Sequence, residues 1–213
     1  MSAFLQSQAN ANLPASASAQ VNAWREQAMQ QAQRVGFPHN KLERWKYAPL
    51  RALAGKSFAL SNEPEHSIDI SQLPPAPRVV LINGRFHAGH SDTGALQGVS
   101  IHCLHDVLQS DDDRRLHILG RQFKDHEAPF SSLNTALAQD GILIEVAENS
   151  TNEIALHCVF ISQGQSLSSH YARHLIACAE HSQFTLIEHH FSAGADSTMS
   201  NHVWHVHVKP YAV

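Results

Sequence analysis

The sequence has no strong excess of either charge: Lys+Arg number 15 against Asp+Glu at 19, a formal net charge of -4 at pH 7. A positive field that would draw the chain onto nucleic acid or anionic lipid is therefore missing, and neither is expected as a partner. Cysteine is scarce and unpaired in pattern. Cys103, Cys158 and Cys178 are an odd number without CxxC spacing, so neither a disulfide framework nor a thiolate zinc or iron–sulfur site is expected within the chain. No run approaches the roughly 20 apolar residues that span a bilayer, and the first residues lack a basic, then apolar, leader pattern. These absences place the chain in the cytoplasm as a soluble protein. Glycine-rich phosphate loops and the G-x-S-x-G nucleophile turn are also lacking, and no carboxylate pair stands out by spacing.

The 213 residues are 43% hydrophobic, enough to fill a core. Residues 1–17, rich in Ala, Ser, Asn and Gln, read as a flexible lead-in. From Ser18, the residues Val21, Trp24, Ala28, Ala32 and Val35 recur at helical spacing up to Gly36 and Pro38, which end the helix. Trp45 and Tyr47 sit among charges in a short helix or turn, where packing outweighs base stacking as an explanation. The prolines of 73–77 predict an extended linker, and Val79-Val-Leu-Ile82 before Asn83-Gly84 predicts a buried strand and tight hairpin turn. Residues 102–123 read as two short helices divided by Ser110-Asp-Asp-Asp113. A further helix begins at Pro129 and carries Phe130, Leu133 and Leu137 on one face, with Gly141 as its glycine cap.

Past Gly141 the pattern becomes one of strands: Ile142–Val146, Ile154–Ile161, His174–Ala179, Phe184–Phe191 and Val203–Val208. Their starts lie about 10–20 residues apart, as in the coils of a solenoid, although irregular spacing leaves a sandwich or barrel open. The domain reading is 18–140 as a mixed, mostly helical subdomain and 141–213 as the strand-rich core. Because the chain ends at Pro210-Tyr-Ala-Val213 directly after a strand and without a polar cap, it reads as a fragment of a longer protein or as covered by a partner.

Histidine is abundant, 17 residues against 15 Lys+Arg. Strand alternation puts His205 and His207 on one face and Trp204, Val206 and Val208 on the other. With Glu188, His189 or His190 they form a candidate His/carboxylate set of the kind a cupin-like metal enzyme uses in a closed antiparallel barrel. The competing reading makes them surface residues on the solvated faces of strands. Cys158 and Cys178 alternate with apolar residues and read as small core groups.

Several segments carry a family likeness. Gly36-Phe-Pro, Glu43-Arg-Trp-Lys-Tyr47 and Leu50, then Val80-Leu-Ile-Asn-Gly-Arg-Phe86, then Pro129-Phe-Ser-Ser-Leu-Asn-Thr-Ala136 with Asp140-Gly141, follow one another in order. Ser169-His-Tyr-Ala-Arg-His-Leu-Ile176, Leu186-Ile-Glu188 and Asn201-His-Val203 complete the series. Together they resemble the SufD family of iron–sulfur cluster assembly proteins. The resemblance implies an N-terminal helical subdomain followed by a right-handed parallel β-helix, of which this chain would hold the first rungs. It implies a non-catalytic subunit of a SUF-type complex with a SufB-like paralogue and a SufC-like ABC ATPase, serving cluster assembly and iron acquisition, with a homodimer also possible. The cluster would be handled by the complex, with no cofactor intrinsic to this chain. One departure is local: Tyr171-Ala172 stands where the family often has proline, which reads as a loop change. A larger one is length, since family members continue through further rungs that carry the ATPase contacts and cluster ligands. No catalytic, cofactor or metal residue is carried over by motif.

Overall fold

The computed structural model describes residues 1–48, 50–61, 70–110, 114–116, 128–164, 167–192 and 197–213. Part of the second helix expected within 102–123, and the Asp111–Asp113 turn, lie outside the described residues. The helices are α1 (Ala3–Ala9), α2 (Ala19–Val35), α3 (Arg51–Ala54), α4 (Leu104–Gln109) and α5 (Pro129–Leu137), with a 3-10 turn at Glu43–Trp45. The strands are β1 (Ala59–Leu60), β2 (Arg78–Ile82), β3 (Arg85–Phe86), β4 (Val99–Cys103), β5 (Ile142–Val146), β6 (Leu156–Ser162), β7 (Ser168–Cys178), β8 (Leu186–Ser192) and β9 (Met199–Val208).

They make two sheets. One has the order β1-β7-β5-β4 with β9 also paired to β7, and the other runs β3-β2-β6-β8. The right-handed parallel β-helix expected from the resemblance is corrected here. Both sheets are mixed: β5, β7 and β9 pair in parallel, as do β2, β6 and β8, but β4 runs antiparallel to β5 and β3 antiparallel to β2. The hairpin follows from Asn83 and Gly84, whose positive φ values of 48° and 78° fit the two-residue turn that reverses a strand. The second sheet packs on one face of the first and helices cover the other, so the result is a layered α/β arrangement and no solenoid.

Three layers share the apolar residues. Between the sheets pack Val79, Leu81, Ile142, Ile144, Leu156, Cys158, Phe160 and Ile176. The opposite face of the first sheet offers Tyr171, Leu143 and Leu175 to the helices, where they meet Phe4, Leu133 and Leu137 or Val21, Leu104 and Val107. Burial on both faces explains why β5 reads as a nearly continuous apolar run. Sheet strands come from both sides of residue 141, so the two segments separated in the sequence reading contribute to common layers.

Residues 1–17 differ from the expected lead-in, because α1 is capped by Ser2, whose Oγ accepts from the Leu5 N–H at 3.1 Å. Phe4 is fully buried, with the rings of Phe37, Phe58 and Phe130 about it at 5.8–6.0 Å. Gln8 is buried too, donating to the Phe58 carbonyl at 2.9 Å and accepting from the Tyr171 hydroxyl at 2.8 Å. The Ser-His-Tyr-Ala-Arg segment, expected as a loop, is the first half of the eleven-residue β7. Gly141 does not cap α5; the cap is Ala138, and Gly141 lies against the backbone of Arg173.

Candidate functional site

Strand pleating sorts the histidines between layers. His170 and His174 of β7 point between the sheets with Ala172 and Ile176, and His202 and Trp204 of β9 lie beside them in register. His174 Nε2 and His202 Nδ1 are 3.1 Å apart, and their rings stack at 5.4 Å and 5°. Only one hydrogen is needed between them, so the pair is satisfied when both rings are neutral. His170 Nε2 lies 2.8 Å from the Ser200 hydroxyl and 3.0 Å from that of Ser162, while its buried Nδ1 has no hydrogen-bond partner among the described residues. Phe160 from the opposing sheet packs on His202 at 4.4 Å and His190 at 4.9 Å.

Burial controls the electrostatics of this cluster. It pushes His170 down to about 4, and His202 down to about 3 with further repulsion from His170 and His190. His174, wholly enclosed, lies well below the usual histidine range for the same reason, with His202 and Arg173 adding to the effect. All three are neutral at pH 7. Burial likewise raises the thiols, Cys103 to about 12 and Cys158 and Cys178 above their ordinary value, which makes them poor nucleophiles.

The sequence candidates are not gathered into one site. His205 is on the helix-facing side of β9 and bonds with the Arg173 guanidinium, while His207 lines a cleft of about 620 Å³ with Arg114, Glu145, Cys178 and Lys209. Glu188 and His190 belong to β8 in the other sheet, where they pair at 3.1 Å. His189 lies 2.8 Å from His157 instead. Parallel pairing of β9 with β7 also removes the antiparallel barrel that a cupin-like site requires. Among the described residues, no group of three or more His, Cys, Asp and Glu side chains is placed to hold a metal ion. The buried His170 and His174, with half-buried His202 beside them, were missed because histidine reads as polar; the signal for the β7 pair was alternation with Ala172, Ile176 and Cys178 on one face.

The motif residues tie α5 to the sheet. Asn134 Nδ2 donates to the carbonyls of Ala172 at 2.8 Å and Asn201 at 2.9 Å, and Asn201 Nδ2 donates to the Phe130 carbonyl at 2.9 Å. Asp140 accepts from the backbone N–H groups of Phe86, His105 and Gly141 at 2.7–2.9 Å. Trp45 packs against Phe130 at 5.3 Å, which answers the stacking question for that ring, whereas Tyr47 is 87% exposed. These bonds define a module in which Asn134, Asp140 and Asn201 serve the architecture.

A family model described as the SufBD protein N-terminal region matches residues 3–157, and the chain belongs to that family. Over 173 residues it is also 28% identical to a relative named iron-sulfur cluster assembly protein SufD, from Escherichia coli (strain K12). That match covers 78% of this chain and 38% of the relative, so the chain spans well under half the length of that protein. Among the described residues no helix is long and apolar enough to cross a membrane.

Proposed function

We propose that this chain contributes to iron–sulfur cluster assembly as part of a non-catalytic subunit of a SUF-type complex, working in the cytoplasm with a SufB-like paralogue and a SufC-like ABC ATPase. The observation that carries this reading is the family match over residues 3–157, joined to a relative whose name assigns it to cluster assembly. Asn134 and Asn201 holding α5 to the sheet, and Asp140 bonding the N–H groups of Phe86, His105 and Gly141, support a scaffolding part, because these polar side chains are spent on architecture. Iron and sulfide are then cargo of the complex, and no cofactor is assigned to this chain.

The test is isolation of the native gene product from its own cells, with mass spectrometry of co-purifying proteins and metal analysis of the same eluate. The proposal expects an ABC-type ATPase and a paralogous subunit together. Recovery of the protein alone, under every nucleotide condition, would remove it.

A further inference from the structure

Helix α2 carries a cation into the interior. Arg25 is only 4% exposed, donates from one Nη to the Ala136 carbonyl at 3.3 Å, and its Nε has no hydrogen-bond partner among the described residues. Burial lowers it to about 10, which leaves the guanidinium charged at neutral pH. Among the described residues no ion pair offsets that charge. A second arginine lines the same cavity: Arg173 of β7, whose guanidinium donates to Thr135 Oγ1 at 2.8 Å and to Asn134 Oδ1 at 3.3 Å and also bonds with His205. The remaining walls include apolar Val21 and Leu104, and the cavity volume is about 20 Å³.

Such a space accepts one water molecule or one monoatomic ion and is too small for a tetrahedral oxyanion. A buried charge without a counter-charge is costly, and a water dipole offsets less of that cost than an anion does. Among the described residues, the carbonyl of Ala136 is the single acceptor that Arg25 reaches.

We infer that this cavity is a binding site for one small monovalent anion of the halide class, chloride in the cell, held by the guanidinium groups of Arg25 and Arg173. The anion joins α2 to β7 and makes the helical layer sensitive to chloride. This inference does not depend on the cluster-assembly reading.

The experiment compares thermal unfolding of the 213-residue chain in sodium chloride and sodium gluconate at equal ionic strength and pH 7. Chloride should raise the midpoint saturably, by about 3–6 °C at saturation, and Arg25→Met should remove that increment. Equal midpoints in the two salts, or the same increment in the variant, would show a general salt effect or a water-filled cavity and overturn the inference. If Arg25→Met does not fold, chloride-35 line broadening on the native chain decides: broadening competed away by bromide supports the site, and no excess broadening overturns it.

Discussion

Gly141 shows how one atom can govern a junction. A Cβ built there would lie 1.7 Å from the Arg173 carbonyl oxygen and 2.7 Å from its carbon, and the φ of +154° is one that side chains rarely adopt. Backbone cannot step aside as a flexible side chain does, since the Arg173 N–H donates to the Asp140 carbonyl at 3.0 Å and fixes the approach. Gly36 is the natural comparison, with φ +81° but no atom within 4 Å of the position a Cβ would take. Gly36→Ala should therefore cost only conformational strain, about 1–2 kcal/mol. Gly141→Ala should cost about 3–5 kcal/mol or prevent folding, through overlap as well as strain. Urea midpoints of the two variants check this, and equal losses would contradict it. The sequence identified Gly141 as important for the wrong reason: a helix cap and a close backbone approach both select glycine, and only the approach needs a distant partner.

Elements were legible where their signal was local. The apolar spacing of α2, the run of β5 and the Asn83-Gly84 turn each lie within a few residues, and the structure places them as Ala19–Val35, Ile142–Val146 and the β2–β3 hairpin. Which face of a strand is covered, and by what, depends on residues far away, so the buried histidines of β7 and half-buried His202 of β9 stayed hidden. Their burial makes a pH prediction for this pair of strands. Each has a folded pKa below its unfolded value of about 6.5, so the unfolded chain binds more protons whenever the pH falls below that value. The stability they permit is full above about pH 6.5 and declines as the pH falls toward 4 and then 3. For His170 alone the loss is on the order of 3 kcal/mol by pH 4. The groups facing the cluster are Ser162 and Phe160 on β6, Glu188 and His190 on β8, and Ser200 on β9, with the Arg173 charge adding to the repulsion on His174. Urea midpoints should drop steadily between pH 7 and pH 4, and His174→Phe should flatten that slope. An unchanged slope in the variant would mean that other groups carry the acid sensitivity.

At the scale of the molecule, sheet pairing has the largest consequence. Among the described residues β9 pairs with β7 alone and β8 with β6 alone, so one edge of each carries backbone N–H and C=O groups without a neighbouring strand. Exposed apolar side chains stand along these edges, Val206 at 60% and Val208 at 50% on β9 and Ile187 and Phe191 on β8, interleaved with polar ones such as His207 and Glu188. Alternation in the sequence identified the strands but not this arrangement, because period-2 spacing is the same in a solenoid, a sandwich and a mixed sheet. What distinguishes them is long-range pairing, such as β2 with β6 across more than seventy residues of chain. An open edge pairs with other edges unless charge intervenes; β8 carries Glu188, whereas β9 holds no Lys, Arg, Asp or Glu and Lys209 stands just beyond it. The 213-residue chain should therefore self-associate across the micromolar range, with sedimentation velocity showing a concentration-dependent shift. Val206→Lys puts a charge on the exposed β9 edge, near its C-terminal end and away from the buried cluster, and should weaken association about tenfold or more while leaving the urea midpoint nearly unchanged. A chain that sediments as a monomer throughout, or a variant that associates as strongly as the parent, would show that these edges are protected by their own twist rather than open to another strand.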